Sequence, residues 1–269
     1  MNGVQIVGAL NVTPDSFYDG GKFLSVDAAV ERAGQMLADG ADIVEIGGQS
    51  SLNAELVSGD EERRRVIPVL AALRKTHPSA TFSIDTMTSA VAEEGIKNGA
   101  AMINDVSAGR RDPRLFSVAA DGGAQLVLMY SKDIPPTDKS DHSYDDVVGH
   151  IKIFLSERVE AAIKAGVARE KIIIDPGLGF FVSSDPKYSF EIIRRLGEFT
   201  SLGFPVFLSP SRKSFLAGSE KLPPADRLPG TIAASAMAVM NGATYIRTHD
   251  VKEVKRGCEV VESAQVKSE

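Results

Sequence analysis

KIIIDPGLGFF, residues 171–181, is the stretch whose reading decides the fold. Ile172, Ile173 and Ile174 in a row read as a strand buried on both faces, as strands of a parallel sheet are. The run stops at Asp175-Pro176-Gly177. A carboxylate at the C-terminal lip of a buried strand is expensive to leave alone, because burying an ionised carboxyl without partners costs several kcal/mol. The plainer reading of Asp175 is a cap for the loop that follows. The sharper one is a ligand contact, best met by two adjacent N–H donors.

Working outward, one unit recurs: apolar strand, polar loop, amphipathic helix, glycine, next strand. Strands are expected at 4–10, 42–46, 80–84, 101–103, 125–129, 172–174, 206–208 and 244–246. Between them helices are expected at 26–39, with Ser25 as N-cap and Gly40 as stop, and from Ser58, where Ser58 and Glu61 form a capping-box pattern. A third helix ends at Asn98-Gly99, and a short one precedes Gly122-Gly123. The fifth, over 145–165, carries Val147, Ile151, Phe154, Leu155, Val159 and Ala162 on one face. Further helices are expected at 187–199, at 230–240 and from Val251. Eight such units in residues 1–269, without a linker, predict a single-domain (β/α)8 TIM barrel of the α/β class rather than a doubly wound sheet. No G-x-G-x-x-G follows the first strand, so a dinucleotide-binding half is not supported.

The 269 residues are 43% hydrophobic and 25% charged, ordinary for a soluble globular chain, with a formal charge of −6. That balance argues against a nucleic-acid surface but leaves room for a local cationic pocket. Cys258 is the single cysteine, which excludes an intrachain disulfide and a cysteine metal cluster. No apolar run approaches the roughly 18 residues a membrane helix needs. A cytoplasmic location without membrane contact is expected.

In a barrel of this kind the chemistry sits at the C-terminal strand ends. Those ends carry Asn11, Gly47-Gly48, Asp85, Asn104, Met129, Asp175, Ser211 with Lys213, and Arg247 with His249. Any one of these is an ordinary cap or turn residue. Together on one rim they imply a shared polar ligand. Asp85, Asn104 and Asp175 would hold a flat heterocycle with an amino-pyrimidinone edge, N–H donors toward Asp175. Lys213 can donate to a ring carbonyl or nitrogen, and Arg247 can stack its planar guanidinium on the ring. Arg247 and His249, two apart, point two cation-capable groups at one place. With Asn11 they read as a pyrophosphate site with a bridging divalent cation, Asn11 offering the hard oxygen that Mg²⁺ prefers. His77, His142 and His150 are expected on the surface.

ALNVTPDSFYDGG (9–21), SIDT (83–86), MINDVSAG (102–109), DPGLGF (175–180), SRKSF (211–215) and IRTHDV (246–251) together resemble the dihydropteroate synthase family over nearly the whole chain. The resemblance implies condensation of 6-hydroxymethyl-7,8-dihydropterin pyrophosphate with p-aminobenzoate. It implies pterin contacts from Asp85, Asn104, Asp175 and Lys213, with Arg247 and Met129 beside them, and Asp85, Asp175 and Lys213 as the catalytic set. Asn11, Arg247 and His249 would take pyrophosphate, with Mg²⁺ on Asn11. Phe180, Ser211, Lys213 and Ser51 would border the p-aminobenzoate pocket. A mobile first loop, 13–23, hinged at Gly20-Gly21, and a homodimer joined through Ala233, Met237 and Val254 are also implied. Two departures stand out. Loop two reads Gln49-Ser50-Ser51-Leu52-Asn53, without the arginine of the usual family run, and Phe181 stands where a small residue is common. Phe180-Phe181 and 126–131 are similar to the mobile, sulfonamide-insensitive branch of the family. Alternative readings are a pterin-dependent methyltransferase acting on a corrinoid protein, and a non-catalytic pterin-binding protein.

Overall fold

A computed structural model describes residues 3–13, 25–49, 56–135 and 141–265 of the chain. Its eight strands are β1 (Gln5–Asn11), β2 (Ile43–Gly47), β3 (Thr81–Asp85), β4 (Met102–Asp105), β5 (Gln125–Met129), β6 (Ile172–Asp175), β7 (Phe207–Leu208) and β8 (Tyr245–Thr248). All pairings are parallel, in the order β6-β5-β4-β3-β2-β1-β8-β7. A bridge between Ile174 and Val206, with Ile174 N donating to Pro205 O at 3.0 Å, brings β6 to β7 and closes the barrel.

The helices α1 (Val26–Ala38), α2 (Gly59–Thr76), α3 (Ser89–Lys97), α4 (Arg114–Asp121), α5 (Val147–Lys164), α6 (Pro186–Arg194), α7 (Gly197–Thr200), α8 (Leu228–Met240) and α9 (Val251–Gln265) surround it. Ser25 caps α1, its Oγ accepting from Ala28 N at 3.2 Å. Ser58 caps α2 the same way through Glu61 N, but the Glu61 carboxylate turns to Arg64 and Arg65. Only half of the expected capping box therefore forms. The face predicted for α5 is the buried one: Val147, Ile151, Leu155, Val159 and Ala162 are buried and Phe154 packs beside them.

Two expectations change. The helix expected over 187–199 is two pieces, α6 and α7, separated at Arg195-Leu196. There the Arg195 fork pairs with Glu191 and Glu198 at helical spacing and also with Asp146 at the start of α5, a partner outside the helix. Val254, expected on a subunit interface, is fully buried in the core, while Ala233 and Met237 are exposed.

Side chains alternate along a strand, so every second residue faces the barrel interior. Val7, Ile43, Met102, Val127, Ile173 and Phe207, with Tyr245 against them, form an apolar plug. Two residues further along the same strands come Glu45, Asn104, Met129, Asp175 and Arg247. The interior thus changes from oil to acid, amide and base in one step, and the plug is the floor of the site. The opposite strand faces, including Val44, Ile46, Phe82, Ile84, Ile103, Leu126 and Ile174, pack against the helices.

Candidate active site

Arg247 is the centre of the cluster. Its Nε donates to Glu45 Oε1 at 2.5 Å and its Nη2 to Asp85 Oδ2 at 3.3 Å. Glu45 is wholly buried, and it also accepts from Ser83 Oγ at 3.2 Å and Asn104 Nδ2 at 3.3 Å. One carboxylate on β2 therefore ties together residues of β3, β4 and β8. Sequence reasoning missed it, because Glu45 lies inside IVEIG rather than at its end. The signal was an acid in an otherwise apolar strand, in step with the inward-facing Ile43.

Asn104 is 3% exposed, and its Oδ1 has no hydrogen-bond partner among the described residues. A buried amide oxygen left bare costs free energy that a ligand N–H would recover. Asp175 Oδ1 accepts from Gly177 N at 2.7 Å, so it does cap its loop as the plainer reading expected. Its second oxygen makes no hydrogen bond among the described residues, so capping the loop leaves it an acceptor to spare. Lys213 Nζ donates to Leu178 O at 3.2 Å and lies 4.9 Å from the Phe181 ring centre.

Burial is the largest influence on Asp85, Asp175 and Lys213. It raises Asp85 to about 7, with Glu45 adding repulsion and Arg247 opposing. It raises Asp175 as well, against the pull of Lys213 and the Gly177 N–H, and it lowers Lys213 despite Asp175. These groups are held in a dry ring where each is less charged than it would be in water, the state expected of a site waiting for a polar ligand.

The second sub-site gathers Asn11, Ser211 and His249. Asn11 Nδ2 stands 3.4 Å from His249 Nε2, and Ser211 Oγ stands 3.1 Å from His249 Nδ1. Ser211 Oγ also accepts from His249 N at 3.2 Å and Thr248 Oγ1 at 3.4 Å, so it holds both the backbone and the ring of His249, and the ring tautomer sets which of Asn11 and Ser211 donates to it. Burial, with Arg247 nearby, lowers His249 to about 4, so at neutral pH the ring is uncharged. The expected pair of cations is thus one cation, Arg247, beside a neutral imidazole. Ser211 is engaged with His249, which makes its visible part the orientation of that ring.

Arg212, between Ser211 and Lys213 in the chain, was not singled out by sequence. Its Nε and Nη2 grip Asp250 at 2.7 and 2.5 Å, and its Nη1 reaches the carbonyls of Pro224 and Ala225. This fork fixes the loop after β7 against the end of β8, next to His249.

The apolar wall is Met129 with Met87, Val106 and Phe181. Phe180 is half-buried at the start of the same turn. Ser51, loop one and most of loop two lie outside the described residues.

A closed parallel barrel whose C-terminal rim carries buried Glu45, Asn104 and Asp175 with half-buried Asp85, Lys213 and Arg247 defines a (β/α)8 enzyme built for a small polar ligand. The profile of the pterin binding enzyme family matches residues 7–249. The dihydropteroate synthase of Bacillus subtilis is 39% identical over 96% of this chain and 87% of that protein. The Clostridium difficile dihydropteroate synthase, solved in the presence of pteroic acid, superposes with a TM-score of 0.91 at 38% identity, covering 99% of this chain and 98% of that one. The Xanthomonas albilineans enzyme, solved with 4-aminobenzoic acid, gives 0.91 at 34% identity over 99% and 95%. The chain belongs to the dihydropteroate synthase family of pterin binding enzymes.

Proposed function

We infer that this chain condenses 6-hydroxymethyl-7,8-dihydropterin pyrophosphate with p-aminobenzoate, giving dihydropteroate and pyrophosphate for folate biosynthesis. The observation that carries the reading is the half-satisfied ring: among the described residues Asn104 Oδ1 is a buried acceptor without a partner and Asp175 uses only Oδ1, on Gly177 N, so both can accept from the N–H donors that an aminopterin edge supplies. Asp85, Asn104, Asp175 and Lys213 hold the pterin, with Arg247 and Met129 against it. The bond from the pterin methylene to the diphosphate oxygen breaks, and its electron pair leaves with the diphosphate. The buried carboxylates of Asp85 and Asp175 favour the positive charge that spreads over the ring. The arylamine nitrogen of p-aminobenzoate then forms the C–N bond and releases its proton to solvent. No covalent intermediate with the enzyme is required.

Asn11, Arg247 and His249 take the diphosphate. Its charge raises the proton affinity of His249 when it arrives. Among the described residues no group of three or more His, Cys, Asp or Glu gathers to hold a metal. Mg²⁺, which keeps its waters and takes phosphate oxygens, would have Asn11 Oδ1 as its protein ligand. When bound there, Mg²⁺ would neutralise charge on the departing diphosphate.

Phe180, Phe181 and Lys213 border the p-aminobenzoate pocket, and Ser211 acts on it through His249; the expected contact from Ser51 lies outside the described residues. Phe181, packed on Met87, Val106 and Met129, supports placement in the sulfonamide-insensitive branch. Sulfamethoxazole at tens of micromolar should leave turnover intact; ordinary micromolar inhibition would refute this placement. A cytoplasmic homodimer is proposed through the exposed stripe of α8, since Met237 and Met240 are 46% and 62% exposed beside Phe190.

Pyrophosphate release with both substrates present tests the whole reading. Release requires both, and its absence with intact pterin binding would favour a non-catalytic binder. Methyl transfer from methyltetrahydrofolate to a corrinoid protein would favour the methyltransferase.

A further inference from the structure

Glu45 is the element of this site with no role yet. It touches no open space, so it contacts the ligand only through others. Its Oε1 accepts from Arg247 Nε and Asn104 Nδ2, and its Oε2 from Ser83 Oγ. A carboxylate paired with a guanidinium offers only acceptors. The Asn104 amide must therefore turn its NH2 toward Glu45. The consequence falls on the other side of that amide: Oδ1, buried and without a partner, is presented as an acceptor. A free asparagine can show a ligand either its oxygen or its nitrogen by a half-turn of the amide. Here the half-turn would set Oδ1 against the Glu45 carboxylate and is forbidden electrostatically.

We propose that Glu45 is a specificity-positioning residue: by fixing the Asn104 amide and the Arg247 guanidinium, it makes the site accept an N–H and reject a carbonyl at the ligand edge facing Asn104. The acid and amide side of the ring then reads one polarity, with the donors Lys213 and Arg247 beside it. Asp85, Asn104 Oδ1 and Asp175 are all acceptors, and a heterocycle with an amino group on that edge fits where its oxo analogue sets lone pair against lone pair. Arg247 is constrained in the same way. With Nε on Glu45 and Nη2 on Asp85, its Nη1 is the donor left without a partner among the described residues.

This deepens the pterin reading and rests on it. The test is equilibrium binding of 6-hydroxymethylpterin and of 6-hydroxymethyllumazine, in which a carbonyl replaces the amino-bearing carbon, to the wild type, Glu45→Gln and Glu45→Asp. In the wild type pterin should win. In Glu45→Gln the new amide can pair with either orientation of Asn104, so the pterin-to-lumazine ratio should fall at least about tenfold, the value of one hydrogen bond set against its mismatch. Glu45→Asp, which keeps the carboxylate, should weaken both ligands and hold the ratio. A folded Glu45→Gln that weakens both equally, or a ratio lost equally in Glu45→Asp, overturns the proposal and leaves Glu45 as scaffold. Wild type that binds neither ligand sinks the pterin reading itself. Neutron diffraction of deuterated wild-type crystals decides the matter without any variant. Deuterium on the Asn104 nitrogen facing Glu45 agrees with the proposal, and oxygen facing Glu45 refutes it.

Discussion

At the scale of the residue, the site holds its charges under tension, and tension has a sign. Asp85 is raised from its ordinary 3.8 to about 7, chiefly by burial. Between those values the folded chain keeps a proton that the unfolded chain has lost, so stability falls as pH rises through that window. Asp85→Asn removes this cost, and we expect the free protein to melt higher at pH 7.5, by about 2–4 °C for each kcal/mol recovered. The gain should shrink as pH drops toward 4. Turnover should fall by about 100-fold or more, because an amide cannot favour a positive ring as a carboxylate does. Calorimetry across pH, with a turnover assay beside it, checks both halves. A variant that melts lower at pH 7.5 would mean that the Arg247 pairing outweighs burial. Asp85 and Asp175 were legible in the sequence because each follows an apolar run directly, and Lys213 through the SRKSF run beyond β7. Glu45 was not, since an acid inside a strand shows its purpose only once three other strands are laid beside it. The neutral state of His249 was equally hidden, being a product of burial and of Arg247 two residues back.

At the scale of the element, the strands reach further than their hydrophobic letters. Reading from apolar residues alone ends them at Leu10, Ile46, Ile84 and Ile103, whereas the ladder continues through Asn11, Gly47, Asp85 and Asp105. Backbone hydrogen bonding is indifferent to side-chain polarity, so the site residues ride on the sheet itself rather than on loops. The turn after β6 is the tightest junction. Gly177 has φ +70°, and a Cβ there would stand 2.4 Å from the Tyr130 carbonyl oxygen. Gly177→Ala should cost about 1–3 kcal/mol by combining a left-handed backbone with a backbone clash. It should also raise KM for the pterin substrate, since the same residue's N–H holds Asp175. Denaturant melts that match wild type would contradict this. The split between α6 and α7 escaped the sequence reading for a comparable reason: the Arg195 fork draws one of its partners, Asp146, from the start of α5, 49 residues away.

At the scale of the whole molecule, the barrel was legible from repetition, while its outer surface was not. Val254 looks like Met237 in a helical sequence, and only packing shows that the first belongs to the core and the second to the exterior. If the exposed stripe joins two copies, Met237→Lys with Met240→Lys should convert a dimer to a monomer in sedimentation while the fold persists; unchanged sedimentation would place the contact elsewhere. Closure of the barrel has a consequence of its own. Its eighth junction is thin, a two-residue β7 meeting β6 through one bridge at Ile174 and Val206. Asp175 follows on one side of that junction and Lys213 on the other. A substrate grasped by both would act as a rivet across the weakest stave. Amide hydrogen exchange at Ile174 should then slow on pterin binding far more than at Val44 or Leu126, turning the hoop rigid only when it is loaded.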